Sequence, residues 1–324
     1  MRVRIFLRRP FPGQRSVERI FTALAPHLDA EVRTLPHESQ GFGPRLSNLR
    51  FARGAAVEVN HVGGDVQYLV LGLPRHGSVL TVLDLVNLRR LRGWRRTVLK
   101  LIWYTIPIRR AGIVTTISDA VRAELEAEIP AARGKTRTIP VPLLPGFTPN
   151  PRPMGPRPLV FMQGSTPHKN VARQAEALKG LPVDALYVGT PNAEAAEALA
   201  AIGARIESGL DDEAMVARYR ECDLLLFASL YEGYGMPIVE AQAIGRPVVT
   251  SDRGAMREVA GGAAILVDPE SVESIRSGVR RAIEDRAERE RLVAAGFVNA
   301  ERTTVERVAA LYRAAYVDAA GSRR

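Results

Sequence analysis

The chain has 324 residues, 46% of them hydrophobic and 25% charged, with a formal net charge of +10. That length suits two ordinary domains, and that balance suits a soluble globular protein. No run of about 18 apolar residues is present, which excludes a membrane-spanning helix, and the apolar run at residues 5–7 is too short for a secretory signal. The single cysteine, Cys222, excludes an internal disulfide framework and a cysteine zinc cluster, so a cytoplasmic location is expected. The charge is uneven: residues 1–150 carry a formal +12 and residues 151–324 carry −2. An anionic partner is therefore expected for the first half alone.

Along the chain, RVRIFLR reads as a short alternating strand, followed by a Pro/Gly turn at Pro10, Pro12 and Gly13. Ser16 is an expected N-cap for the helix VERIFTALAPHL. SVLTVLD and GIVTTIS read as buried strands, Ser118 as the cap of the helix DAVRAELEAEI, and TRTIPV as a further strand. Strand–helix alternation of this kind predicts a parallel sheet covered by helices. Residues 142–158 contain seven prolines and read as an interdomain linker, because proline cannot continue a helix or a central strand. The alternation then restarts: PLVFMQG, DALYVG, ARIESG, DLLLFAS, RPVVTSD and AAILVDP are strand candidates with helical stretches between them. The predicted fold is α/β, with a Rossmann-like domain over 1–147 and a second over 148–324, the last helix returning to the first domain. Doubly wound sheets bind ligands at the carboxyl ends of their strands, so a cleft lined by both domains is the expected site.

The stretch from Phe227 to Val249 carries the chemistry. A buried strand leads into a loop holding Glu232, and Gly233 and Gly235 allow close backbone approach to a ligand. Pro237 suits the start of a helix, Glu240 is expected in its first turn, and Gly245 ends it. A helix N-terminus favours a diphosphate, and carboxylates accept hydrogen bonds from sugar hydroxyls. A ligand that is part diphosphate and part polyol meets both features. Two glutamates eight apart are common by chance, so the spacing means little without this setting. In GSTPHKN, Lys169 could neutralise a diphosphate. Asp211-Asp212-Glu213 precedes a helix and reads as a cap, not as a metal site.

With its continuation TSDRGAMREVAGGAAILVDPES, this stretch resembles the E-x7-E segment of retaining GT-B glycosyltransferases of family 4. The resemblance implies a retaining transfer of a hexose such as mannose from a UDP- or GDP-linked sugar. The acceptor would be a saccharide or lipid-linked hydroxyl in polysaccharide or glycoconjugate synthesis. No cofactor or protein-bound metal is implied. Donor-binding residues would be Gly164, Ser165, Lys169, Glu232, Gly233, Tyr234, Gly235, Met236 and Glu240, with Glu232 and Lys169 catalytic and Glu240 on the ribose. Gly13, His61, Asp65 and Asp84 are acceptor-side candidates. Ser165 stands where the family often has an arginine, for which His168 or Arg173 could substitute, and Leu83 stands where a histidine is common. A catalytically silent nucleotide-sugar or membrane-surface binding protein and a sugar-nucleotide epimerase are the alternatives.

Residues 87–110 hold eight basic side chains and no acid. Leu88, Leu91, Trp94, Val98, Ile102 and Ile106 recur at helical spacing, and Pro107 is expected to end the helix. This pattern predicts a basic amphipathic helix in peripheral contact with an anionic membrane, and a core-packed helix with a solvated basic side is the competing expectation. No nucleic-acid-binding motif accompanies the charge.

Overall fold

The computed structural model describes residues 1–10 and 16–321, with the side chain of Ser16 outside that description. The chain forms two compact units, one of Met1–Pro142 with the segment from Thr304 onward, the other Leu143–Thr303.

The first unit contains β1 (Val3–Leu7), α1 (Ser16–Leu28), β2 (Ala30–Thr34), α2 (Phe42–Gly54), β3 (Val59–Gly63), β4 (Ser78–Val82), α3 (Val86–Arg90), α4 (Gly93–Leu99), α5 (Ile106–Arg110), β5 (Ile113–Thr116), α6 (Asp119–Glu128) and β6 (Thr136–Thr138). Its six strands are all parallel, in the order β2-β1-β3-β4-β5-β6. Strands β3, β4 and β5 are wholly buried, as a sheet covered on both faces requires. The expected cap at Ser118 is present, its side chain accepting from Val121 N–H.

The second unit contains β7 (Leu159–Gln163), α7 (Val171–Leu178), β8 (Asp184–Val188), α8 (Ala193–Ala201), β9 (Arg205–Glu207), α9 (Asp212–Glu221), β10 (Leu224–Phe227), α10 (Met236–Ile244), β11 (Val248–Ser251), α11 (Gly254–Ala260), β12 (Ile265–Val267), α12 (Val272–Glu284) and α13 (Arg286–Ala300). The strand order is β12-β11-β10-β7-β8-β9, again parallel. The order reverses between β7 and β10, so the loops leaving those two strands diverge and leave a crevice.

The proline-rich stretch has no helix or strand between β6 and β7, but from Leu143 it is fastened to the second unit. Leu143 N–H donates to Thr303 O at 2.7 Å and Asn150 N–H to Ile244 O at 2.9 Å. The buried Arg246 guanidinium donates to Asn150 O at 2.8 Å. The last helix, α14 (Val305–Gly321), belongs to the first unit. Its Tyr312 and Tyr316 are buried there, and Gly77 N–H donates to Ala319 O at 3.1 Å.

Two sequence expectations are corrected. Glu240 is the fifth residue of α10 and lies past its first turn, because the helix starts at Met236 with Gly235 as its cap. Pro107 does not end a helix: a π-helical turn over Lys100–Thr105 joins α4 to α5. Ile106 N–H reaches back five residues to Leu101 O, and this wider turn carries the chain past the proline ring.

Candidate functional site

In the second unit the two loops at the switch point are stitched together. Leu230 N–H, after β10, donates to His168 O at 2.8 Å. Asn170 adopts a left-handed conformation at the start of α7, and its buried amide donates to Ala228 O at 2.9 Å and Pro269 O at 2.7 Å. Gln174 completes the seam, accepting from Ala228 N–H at 3.1 Å and donating to Lys169 O at 2.6 Å. Sequence reasoning missed both amides. Asn170 directly follows Lys169 in the sequence, but only the fold aims it at β10.

This seam brings the two expected charged residues together. Lys169 Nζ lies 2.8 Å from Glu232 Oε1, both side chains mostly buried, and 4.9 Å from the centroid of the Phe227 ring. Glu232 Oε1 is buried, and the Lys169 ammonium is its charge partner. Lys169 sits in a 3-10 turn, Pro167–Lys169, two residues before α7. Its stem crosses Gly164, where φ is +122°, and a Cβ there would stand 2.5 Å from Lys169 Cγ. The glycine is thus the space through which the lysine reaches Glu232.

Gly235 has φ +103° and no side chain caps the first turn of α10, where Pro237 has no N–H and Ile238 N–H donates to Gly235 O at 3.0 Å. Gly233 and Met236 are half-buried beside it, whereas Tyr234 is buried. Burial, and then the Glu258 carboxylate, raise the Tyr234 phenol far above its usual range, so its side chain acts as packing. Glu240 Oε2 accepts from Tyr219 Oη at 2.7 Å. Tyr219 is fully buried, and burial followed by Glu240 holds its phenol protonated. Ser165 is exposed, but its hydroxyl accepts from Thr190 N–H at 2.8 Å. Arg173 donates to Asn170 Oδ1 and, at 3.4 Å, to Pro269 O, while His168 Nε2 lies 3.1 Å from Thr166 Oγ1. Asp211 caps α9 at Ala214 N–H, 2.8 Å away.

The acceptor-side expectations fare differently. Gly13 lies outside the described residues. His61 is a core residue with no accessible surface, so it cannot meet an acceptor. Its Nδ1 is 2.8 Å from Tyr316 Oη and its Nε2 2.6 Å from Thr81 Oγ1. Burial lowers its pKa to about 3, and the ring is neutral. Asp65 is exposed and 3.4 Å from Arg8 Nη1. Asp84 accepts from Val86 N–H at 3.0 Å, at the start of α3.

Residues 148–297, the stretch that holds Lys169, Glu232 and Glu240, match the family model for glycosyl transferases group 1. The two doubly wound parallel sheets are of the kind that make up the GT-B fold. It is 34% identical to the O-antigen chain mannosyltransferase B of Escherichia coli over 95 residues, 29% of this chain and 25% of that protein. It is 27% identical to the MMP alpha-(1->4)-mannosyltransferase of Mycolicibacterium hassiacum over 283 residues, 79% of this chain and 69% of that enzyme. The structure of Anabaena HepE in complex with UDP and glucose superposes with a TM-score of 0.76 at 16% identity, covering 97% of this chain and 98% of that one. The chain thus spans a quarter of the first relative and about two thirds of the second.

Proposed function

We propose that the protein is a retaining glycosyltransferase that moves a mannosyl unit from a nucleoside-diphosphate sugar to a hydroxyl of a saccharide or lipid-linked acceptor, in cell-surface polysaccharide or glycoconjugate synthesis. The observation that carries this reading is the Lys169–Glu232 pair at the switch point, beside the uncapped start of α10. Mannosyl donors are favoured by the names of the two relatives, and a nucleotide donor by the UDP bound to Anabaena HepE.

In this scheme the diphosphate lies at the start of α10 with the Lys169 ammonium against it. Glu232 and the backbone of residues 233–236 hold sugar hydroxyls, and Glu240 holds the ribose. The bond from the anomeric carbon to the diphosphate oxygen breaks, and Lys169 offsets the charge that builds on that oxygen. The acceptor oxygen bonds to the same face of the anomeric carbon and passes its proton to the departing phosphate. No step needs a protein-bound metal or cofactor. The first unit carries the acceptor, in keeping with its positive charge, and the basic stretch at residues 87–110 rests against an anionic membrane on the cytoplasmic side.

Nucleoside diphosphate release measured across UDP- and GDP-sugars tests the reading. Glu232→Ala and Lys169→Ala are each expected to lower turnover about 10²-fold or more, the cost of losing a preorganised group at a developing charge. Unchanged turnover in both variants would sink it. Donor binding with no turnover across plausible acceptors would favour the catalytically silent alternative, for which Leu83 and Ser165 give the motive.

A further inference from the structure

The second unit has a cavity of about 640 Å³ at the amino ends of its strands. Asp223 and Pro247 in its wall stand directly before β10 and β11, whereas the loop with Glu232 leaves the carboxyl end of β10. The cavity is therefore separate from the transfer site, and its size suits one small molecule.

Its wall is part apolar and part cationic. Arg286, Arg289, Val293 and Phe297 follow one another at three- and four-residue steps and present one face of α13. The half-buried Met154 of the proline-rich stretch adds a second apolar side. Room for the Phe297 ring comes from Gly245, where a Cβ would stand 2.7 Å from Phe297 Cζ.

Four arginines line the cavity against two carboxylates, and both carboxylates are engaged. Asp223 accepts from Leu159 N–H and from Arg152 Nη2, each at 2.8 Å. Glu290 accepts from Arg286 Nε at 2.7 Å. Arg246 is buried and pinned to Asn150, Tyr219 and Arg220. Arg152 and Arg289 are held at one end only. Arg152 Nη2 also reaches Glu221 O, and Arg289 Nη1 donates to Ala282 O at 3.0 Å and Ile283 O at 2.9 Å. Arg152 Nε and Nη1 and Arg289 Nε and Nη2 have no partner among the described residues. A guanidinium with free N–H groups takes acidic oxygens, and the aromatic and aliphatic wall takes carbon, so charge and surface together suit an anion with an apolar body.

We infer that this cavity binds one small apolar anion, an acyl chain or ring that carries a single acidic group. Arg152 and Arg289 hold the acidic group, and Met154, Val293 and Phe297 hold the carbon body. The ligand is not a sugar donor, and the inference stands independently of sugar transfer.

The probe is anilinonaphthalene sulfonate, an apolar ring system with one anionic group, titrated by fluorescence into the full chain. A single saturable site is expected, with binding unchanged by UDP. Octanoate should displace the dye at about tenfold lower concentration than octanol, because only the carboxylate makes charge-assisted hydrogen bonds. Ala294 is exposed on the same wall, so Ala294→Trp fills the cavity from the solvent side and should weaken dye binding about tenfold or more. Its circular dichroism and thermal midpoint should match the parent. In Arg152→Gln/Arg289→Gln the advantage of octanoate over octanol should disappear. Full dye binding by Ala294→Trp, equal displacement by octanoate and octanol in the parent, or displacement of the dye by UDP would each overturn the inference.

Discussion

Tyr219 links the core of the second unit to the carboxylate assigned to the ribose. Its ring stacks edge-on against Phe147 and Phe161, at 5.4 and 4.8 Å between centroids, so the hydroxyl has one orientation. That hydroxyl accepts from Gln163 Nε2 and donates to Glu240, fixing which carboxylate oxygen faces inward. Tyr219→Phe keeps the stacking and removes the hydroxyl that accepts from Gln163 and donates to Glu240, a cost of about 1–3 kcal/mol. Nucleoside diphosphate affinity by calorimetry is expected to fall about tenfold, with turnover at saturating donor changed about threefold or less. An unaltered affinity would remove Tyr219 as the residue that positions Glu240. Glu240 was singled out in the sequence by its setting, the glycine loop and the proline that starts the helix. Tyr219 was not, because it lies 21 residues upstream on another helix and only tertiary packing joins them. His61 shows the same limit in reverse: it reads as a possible ligand residue until the fold brings Tyr316, 255 residues away, onto its ring nitrogen.

At the scale of elements, all six strands of the second unit were legible, five as apolar runs bounded by turn residues and the edge strand β9, Arg-Ile-Glu, only by its place in the alternation. In the first unit β2 and β3 were not. β2 lies at the sheet edge with little buried, and β3, Val-Asn-His-Val-Gly, is fully buried yet carries two polar side chains and a glycine. Asn60 satisfies itself locally through Val57 N–H and O, and His61 through distant hydroxyls, so burial leaves no hydrophobic signature. In the loop after β7 the sequence singled out Gly164, Ser165 and Lys169, but only the fold shows that the glycine lies under the lysine stem. Gly164→Ala would place Cβ against Lys169 Cγ and strain a left-handed residue, costing about 1–2 kcal/mol of stability. Turnover should fall toward that of Lys169→Ala, while a lysine-independent property such as the far-UV spectrum stays unchanged. Wild-type turnover in this variant would show that the glycine does not set the reach of Lys169.

For the whole molecule, the return of α14 to the first unit makes that unit depend on both ends of the chain. Tyr312 and Tyr316 pack over His61, which Phe21 meets edge-on at 4.9 Å, and the hydroxyl chain continues from Thr81 to Thr115 at 2.7 Å. The last helix is amphipathic in the sequence, but its buried face matches a partner that no local pattern names. The neutral His61 makes this closure sensitive to acid. Its folded pKa of about 3 lies below the ordinary 6.5, so the unfolded chain takes up the proton first. The contribution is complete above about pH 6.5 and is lost as pH falls toward 3, at about 1.4 kcal/mol per pH unit. Both tryptophans, Trp94 and Trp103, lie in the first unit, so their fluorescence reports its unfolding alone. Between pH 6.5 and pH 5 the stability read from denaturant curves at those tryptophans should drop by about 2 kcal/mol from this residue. His61→Gln keeps polar atoms beside Tyr316 and Thr81 but cannot titrate, so its stability should start lower and change less over the same interval. An equal fall in both proteins would locate the acid sensitivity elsewhere than in the His61–Tyr316 closure.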